Sequence, residues 1–328
     1  MTSVAALEGE RLIGPHLPLG GGLLKAAARA TEIGATAVQI WTDNPTAWRR
    51  RLDQPQALRE FRDLLRAGGV RTIAVHAPYL VNLAGGNEDF WDKSVATMTN
   101  ELRVARLYGA DFVVMHIGSH RGIGRAAGIT RLTAGLRAVL AETAADPVPP
   151  DGSPMPRLVL ENSAGTGDGI GATIEDLADI VDAAAADGLP LERLGICLDT
   201  AHLWGAGYDV SSEAGVETLV TRIDRLIGHE RVVMLHLNDS RTVMGSMLDR
   251  HEHIAAGQVG PDGMRELLTE PWLATLPALL ETPGMDLGYD RINLERARML
   301  IEGETPPALP PEAFEVRSSR SRTAPPSG

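Results

Sequence analysis

The sequence contains a single cysteine, and it lacks both a long apolar run and an N-terminal targeting pattern. Cys197 has no second cysteine with which to form a disulfide within the chain, which is consistent with a reducing compartment. No stretch approaches the roughly 18 uninterrupted apolar residues that indicate a membrane-spanning helix. The opening residues, MTSVAALEGER, show no basic region followed by an apolar stretch, so we expect no signal peptide. These absences favour a cytoplasmic protein.

Basic residues are outnumbered, since the chain has 31 Lys and Arg against 43 Asp and Glu, a formal net charge of −12. Such a balance argues against nucleic-acid binding, because contacts to phosphates depend on Lys and Arg. Bound divalent cations would weaken that argument, because the field inside the site, and not the net charge, meets a substrate.

Strand-like and helix-like segments alternate along the chain, and their periodicity predicts eight βα units. The strand segments are almost continuously apolar, as is typical of parallel strands that are covered on both faces. A doubly wound open sheet is the alternative, but the G-x-G-x-x-G fingerprint after the first strand is absent. We therefore predict the α/β class, with a single (β/α)8 TIM barrel.

The ends of the chain differ from this repeating pattern. We predict an N-terminal extension over 1–10, the barrel domain over 11–302 and a disordered tail rich in Pro, Ser and Arg over 303–328. The proline-rich segment 145–156 leads into the N-terminal end of a strand, so we expect a surface loop away from the active face. The long loop after the seventh strand lies at the C-terminal face, where loops are usually functional.

Histidines and acidic residues recur where the apolar strand segments end. Such side chains are rarely buried unless they are paired or bind a cation. The C-terminal ends of barrel strands meet at one rim, so we expect these side chains to converge although they are far apart in sequence. A purely local role, such as helix capping, would have to hold at every position to explain the set. The nine candidate metal ligands are His76, His116, Glu161, Asp199, His202, His236, Asp249, His251 and Glu281.

Nine candidates exceed the roughly three or four protein ligands that one zinc ion needs. Mixed imidazole and carboxylate donors suit Zn²⁺, with Mn²⁺ or Fe²⁺ as substitutes. The absence of thiolate ligands favours a catalytic over a structural site. The sequence therefore predicts an enzyme with a cluster of divalent metals at the C-terminal face of the barrel.

The chain resembles the endonuclease IV family, the metal-dependent apurinic/apyrimidinic (AP) endonucleases of family 2. The resemblance runs from about residue 12 to residue 284 in family order and includes every metal-ligand position of the family. The stretches that carry it are IGPHLPLGGGLLKAAARATEIGATAVQIW, VHAPYLVNLAGG, VVMHIGSH, LVLENSAGTGDGIG, GICLDTAHLWGAGYDV, MLHLNDSRTVMGSMLDRHEHIAAGQVG and LLETPG.

The resemblance implies a site of three zinc ions. One ion would be held by His76 and His116, and Glu161 would bridge it to a second ion. The remaining ligands of that second ion would be Asp199, His236 and Glu281, and those of the third ion would be His202, Asp249 and His251.

The reaction implied by the resemblance is that of a deoxyribonuclease IV-type hydrolase in base excision DNA repair. Such an enzyme hydrolyses the phosphodiester 5′ to an abasic site and leaves a 3′-hydroxyl. Glu161 would be the catalytic residue that steers the attacking water. The partner would be double-stranded DNA that contains abasic sites, and we expect the protein to be a monomer.

The loops that would recognise DNA depart from the family pattern. Tyr79 matches a family tyrosine that wedges into the duplex, so we expect it to bind DNA. Asp43 and Thr46, by contrast, stand where the family usually has basic residues, which removes positive charge where phosphates would approach. Ala255 stands where the family prefers glycine.

Two alternatives keep the barrel and change the chemistry. One is a sugar isomerase or epimerase of the same barrel superfamily, which would use one metal with about four ligands and would not need all nine candidates. The other is a metal-dependent phosphodiesterase that acts on a small phosphate ester, which Asp43 and the net charge favour. A non-enzymatic DNA-binding module would be expected to keep basic residues and to lose ligands, which is the reverse of this sequence.

Overall fold

A computed structural model describes residues 11–48, 55–149 and 152–316. Eight parallel strands in these ranges form a closed barrel, and they are β1 Ile13–Leu17, β2 Ala37–Ile40, β3 Thr72–His76, β4 Phe112–His116, β5 Arg157–Glu161, β6 Leu194–Asp199, β7 Val232–His236 and β10 Ala278–Leu280. Their order around the barrel is β1-β10-β7-β6-β5-β4-β3-β2. The predicted (β/α)8 barrel is therefore confirmed.

Helices follow the strands and cover the outside of the barrel. They are α1 Leu23–Glu32, α2 Pro55–Ala67, α3 Glu88–Leu107, α4 Arg125–Ala144, α5 Ile174–Ala186, α6 Thr200–Ala206, α7 Glu213–Leu226, α8 Gly260–Thr269 and α9 Tyr289–Ile301. Several begin at the side-chain caps that their sequences indicate, such as the capping box of Thr173 and Asp176 at the start of α5. Among the described residues, no helix has the length and apolar composition needed to cross a membrane.

The long loop after β7 contains an element that the sequence pattern did not predict. It forms a small antiparallel hairpin of β8 Asp239–Ser240 and β9 His251–Glu252, in which Ser240 pairs with His251. The buried Asp239 carboxylate accepts hydrogen bonds from the backbone N–H groups of Gly257, Val259 and Gly260, which ties the end of the loop to the hairpin. We refer to residues 239–252 as the metal-loop hairpin.

The expectation of a disordered tail from residue 303 is wrong for residues 304–316, which we call the C-terminal segment. It contains a short 3-10 helix, Pro311–Glu315, and packs on the barrel with Ala313 fully buried. Its backbone carbonyls are paired by side chains of the barrel, as in the bond from Arg296 Nη1 to Pro307 O at 2.5 Å. Composition alone does not reveal such pairing. Residues 1–10 and 317–328, and with them the predicted N-terminal extension and the rest of the tail, lie outside the described residues.

An apolar layer lies in the barrel interior directly below the C-terminal rim. Strand side chains alternate between faces, so a residue two positions before an inward-facing residue also faces inward. This layer lies two residues before the strand-end histidines and carboxylates. Its members are Ala74, Val114, Val159, Cys197, Met234 and Leu279, joined by Ala37 and Val233.

Gly14 occupies the corresponding position on β1, two residues before the buried His16, and leaves no room for a side chain. A Cβ built on Gly14 would lie 1.7 Å from the carbonyl oxygen of Ala37 on β2. We expect Gly14→Ala to lower the free energy of unfolding by about 1–3 kcal/mol, as overpacking of a rigid interior does. Gly20→Ala is the matched control, because nothing lies within 4 Å of a Cβ built there. Equal thermal unfolding midpoints for the two variants at the same scan rate would contradict the expectation.

Candidate metal centre

The structure brings all nine predicted ligand residues together at the C-terminal rim. Five of them end β3 to β7, and the stagger of the strands sets His116 beside Glu161 and Asp199 beside His236 in the sheet. Glu281 directly follows β10. The other three come from α6 and the metal-loop hairpin: His202, Asp249 and His251.

The first set of side chains consists of His76, His116 and Glu161. Both histidines present Nε2 to the same carboxylate oxygen, Glu161 Oε2, at 3.4 Å and 3.5 Å. Nδ1 of His76 donates to the carbonyl oxygen of Ala77 at 2.7 Å, which leaves Nε2 as the atom that can bind a cation. The side chains of His76 and Glu161 are fully buried, whereas His116 is a third exposed and opens the set to solvent.

The second set shares Glu161 with the first and adds Asp199, His236 and Glu281. Nδ1 of His236 lies 3.2 Å from Glu161 Oε1, 3.6 Å from Glu281 Oε2 and 4.0 Å from Asp199 Oδ2. The other nitrogen of the ring, Nε2, donates to Gln39 Oε1 at 2.9 Å, so Nδ1 is free to bind a cation at the centre of the three carboxylates.

The third set lies on the side of the metal-loop hairpin. Asp249 reaches the Nε2 atoms of His202 and His251 with its two oxygens, at 3.3 Å and 3.1 Å. Asp199 Oδ2 is 3.4 Å from Nε2 of His251, so Asp199 lies between the second and third sets. Potential ligand atoms of Asp199, His202 and His251 lie within 4.8 Å of one another.

The donor atoms of the first two sets fit divalent cations. Both oxygens of Glu161, Nε2 of His76 and Nδ1 of His236 are buried and have no hydrogen-bond partner in the described residues. Buried polar atoms without partners are costly, and an ion shared among them would satisfy them together. Two sets that share one carboxylate are an arrangement that can hold two neighbouring ions.

Neighbouring charged groups in the cluster shift one another's pKa values. Burial raises the pKa of Glu161, but His116 and His236 lower it, and the net pKa lies well below its usual value. Burial lowers the pKa of His202, but Asp199 and Asp249 outweigh it and raise the pKa to about 10. In the metal-free chain His202 therefore carries a proton beside the Asp249 carboxylate, in a place that a cation would take.

Four further polar residues support these sets and were not predicted from the sequence. His16 lies one residue before the end of β1, IGPHL, so a search that included penultimate strand residues could have revealed it. Its Nδ1 lies 3.3 Å from Glu281 Oε1, and Gln39 Nε2 donates to that oxygen at 2.8 Å. Asn238 Nδ2 donates to Asp199 Oδ2 at 2.8 Å, and the carbonyl oxygen of Asn162 accepts from Nδ1 of His202 at 2.9 Å.

Tyr79, the predicted DNA-binding residue, lies at the edge of the first set. Its ring contacts His76, His116 and Trp41, with ring centroids 5.5 Å, 5.9 Å and 5.8 Å apart. Its backbone N–H donates to Pro45 O at 3.1 Å, which joins the loop after β3 to the loop after β2. A cleft of about 640 Å³ runs from Tyr79 past His116 to Thr166, and Arg121 also lines it.

In the loop after β2, several polar groups bond one another. Asn44 Oδ1 accepts from both the N–H and the hydroxyl of Thr46, at 3.0 Å and 2.8 Å. Asp43 Oδ1 accepts from the N–H of Asn44 at 2.7 Å. The sequence places no basic side chain between Asp43 and Thr46.

Comparison with known proteins shows which family has this barrel and this sequence. Residues 27–303 match the family model described as a xylose isomerase-like TIM barrel. The probable endonuclease 4 of Halothermothrix orenii is 35% identical over 287 residues, which is 87% of this chain and 99% of the relative. That of Methanoculleus marisnigri is 36% identical over 289 residues, with coverages of 88% and 98%.

Solved structures give the same result. The crystal structure of endonuclease IV from Thermus thermophilus has a TM-score of 0.76 and 34% identity, and the match covers 90% of this chain and 100% of that chain. D-psicose 3-epimerase from Clostridium cellulolyticum has a TM-score of 0.60 at 14% identity, covering 90% and 98% of the two chains. The epimerase therefore shares the fold alone.

The raised pKa of His202 predicts that the affinity of the site for metal depends on pH. His202 has a pKa of about 10 in the metal-free chain and is protonated near neutral pH, whereas a metal binds the neutral ring. Binding of Zn²⁺ to chelator-treated protein should therefore release protons, and the affinity should rise between about pH 6 and 8 by up to roughly tenfold per pH unit for each proton released. An indicator dye in a weakly buffered ZnCl₂ titration measures the release. A zinc affinity that does not change with pH would contradict this account.

Proposed function

Because the chain belongs to the endonuclease IV family, we propose that it is a zinc-dependent AP endonuclease that hydrolyses the phosphodiester 5′ to an abasic site and leaves a 3′-hydroxyl. The observation that carries the proposal is the set of three adjoining groups of ligand atoms, two of which share Glu161. A sugar isomerase with one metal would leave most of these buried groups unused.

The proposed ligand sets are those that the resemblance implies, and in each of the first two the ligand atoms lie within 4.8 Å of one another. The first ion would bind His76, His116 and Glu161, and the second would bind Glu161 with Asp199, His236 and Glu281. The third would bind His202, Asp249 and His251. Asp199 Oδ2 lies 3.4 Å from Nε2 of His251, so its carboxylate also faces this third position.

Bound divalent ions would supply an activated water and would neutralise the charge that builds up on the phosphate. The protein itself provides the positioning. Glu161 reaches both adjoining sets with one carboxylate, so it is the residue best placed to orient the water for attack. Gln39 and Asn238 fix the orientations of His236 and Asp199 through hydrogen bonds. The cleft from Tyr79 to Thr166 provides room for a strand of the substrate beside the partly exposed His116.

Metal analysis together with an incision assay tests the proposal. Protein purified without chelator should carry about three divalent ions per chain, because nine ligands exceed what one or two ions use. It should also cut a duplex that contains a single abasic analogue, and the cut should lie on the 5′ side of that analogue. One ion per chain at full activity would favour the isomerase, and cleavage of a small phosphodiester without incision of the duplex would favour the phosphodiesterase.

Glu161→Gln should nearly abolish hydrolysis while the barrel stays folded. An amide has the same shape but lacks the charge, and it offers only one oxygen for two ions. A loss of several kcal/mol in transition-state stabilisation corresponds to roughly a thousandfold or more in rate. The control is Glu142→Gln, since Glu142 lies exposed on α4 and pairs with Arg103. Turnover of Glu161→Gln at the wild-type rate, with circular dichroism unchanged, would refute the bridging role.

Tyr79 should matter for duplex binding and not for metal content. Loss of a ring that stacks on a base costs about 1–3 kcal/mol, so Tyr79→Ala should bind the abasic duplex roughly ten- to a hundredfold more weakly. Tyr79→Phe keeps the ring and serves as the control. Thr46→Arg should act in the opposite direction, with higher affinity and a steeper salt dependence, because it adds a phosphate contact. Binding that is the same for all three variants across a salt series would argue against DNA as the substrate.

A further inference from the structure

The C-terminal segment lies at the same end of the barrel as the candidate metal centre. It begins just after residue 303, where the match to the family model ends. Its last residue, Val316, approaches the loop that follows Glu281, since a Cβ built on Gly284 would lie 2.9 Å from Val316 Cγ1. The segment therefore packs against the loops that carry Glu281 and the third ligand set.

The first link to the metal-loop hairpin runs through Arg241. Its Nη2 donates to the carbonyl oxygen of Val316 at 2.7 Å, and its Nε lies 3.0 Å from Glu252 Oε2. Glu252 follows His251 in β9, and its other oxygen accepts from the N–H of His253 at 2.9 Å. The side chains of Arg241 and Glu252 thus link the end of the C-terminal segment to the strand that carries His251.

The second link runs through His253, which is fully buried. Its Nδ1 accepts from Asn293 Nδ2 at 2.9 Å, so Nε2 carries the proton and donates to the carbonyl oxygen of Ala313 at 3.1 Å. The ring is held on its sides by Tyr289 and Phe314, with ring centroids 4.8 Å and 6.4 Å away. A residue two positions after His251 is therefore fixed to the segment directly.

The third link is the guanidinium of Arg296, which is 4% exposed. It donates to Ile254 O at 2.6 Å, to Ala255 O at 3.3 Å and to Pro307 O at 2.5 Å. Ala255 has φ 58°, a left-handed conformation that is unfavourable for a residue with a Cβ. The hydrogen bonds of Arg296 hold the chain in that conformation just beyond the hairpin.

We propose that the C-terminal segment is a strap that positions Asp249 and His251 for the third metal ion. The inference rests on the proposed metal centre. The hairpin has only two residues in each strand, and two-stranded hairpins are at best marginally stable on their own. It carries two ligands of one set, so a shift of the hairpin moves both. Arg241, His253 and Arg296 are the positioning residues through which the strap acts.

Two truncated chains separate the strap from the rest of the tail. One ends after Gly303 and lacks the strap, and the matched control ends after Val316 and keeps it. We expect the first chain to bind the weakest of its zinc ions about 10–100-fold less tightly, as when an outer partner of a ligand is lost. The control should bind zinc like the full chain. Zinc affinity is measured by competition with a chelator on metal-free protein.

A point variant covers the case in which the shorter chain does not fold. Arg241→Met keeps the aliphatic stem and removes the bonds to Val316 and Glu252. Arg265→Met is the control, because Arg265 is similarly exposed and pairs only with Asp262 on α8 among the described residues. We expect the zinc affinity of Arg241→Met to fall in the same direction as that of the truncated chain, and that of Arg265→Met to stay unchanged.

Hydrogen exchange on the metal-free chains shows whether the effect is local. Loss of the strap should speed amide exchange over 239–256 and leave the barrel strands unchanged. Unchanged exchange in the hairpin, faster exchange throughout the barrel, or faster hairpin exchange at unchanged zinc affinity would each overturn the strap. Fewer than three ions on the full chain would count against the proposed metal centre. The change in amide exchange of the hairpin alone would then decide whether the C-terminal segment holds the hairpin in place.

Discussion

The buried Glu161 carboxylate is the group on which the rest of the site depends. An ionised carboxylate in a dry interior is destabilising by several kcal/mol unless charge and hydrogen bonds compensate it. No described donor forms a hydrogen bond to either of its oxygens, and His76, His116 and His236 surround them at 3.2 Å to 3.5 Å. His76 and His236 each donate from their other ring nitrogen, so the neutral form of either ring turns a lone pair toward this carboxylate. Such an arrangement is stable only with positive charge at its centre, supplied by protons or by cations.

The barrel makes this concentration of charge possible. Closed parallel strands leave no unpaired backbone edge at the rim, so the side chains alone determine the chemistry there. The layer two residues below, which includes Val114, Val159 and Cys197, is entirely apolar and closes the floor of the site. The tight fit of Gly14 against Ala37 is part of the same packing, because it allows β1 and β2 to approach closely.

Whether the sequence could predict a part of the site depends on whether a barrel strand positions that part. Residues that end strands were predictable, because the strand period fixes which face they occupy and the barrel brings strand ends together. His16 lies one residue before the end of β1 and also reaches the site, although it is not among the nine predicted ligands. The hairpin, the short helix α6 and the C-terminal segment could not be predicted in this way. Their positions depend on contacts between distant residues, such as Arg241 with Val316, which leave no periodic pattern in the sequence.

Ligands on loops need more support than ligands on strands. A strand-end residue such as His236 inherits its position from the sheet, whereas Asp249 and His251 lie on a hairpin with little stability of its own. The structure supplies that support from both sides of the hairpin. Asp239 gathers three backbone N–H groups from residues 257–260, and Arg296 pairs the carbonyls that precede them. The third ligand set is consequently the part of the site whose geometry is most open to change by residues that touch neither metal nor substrate.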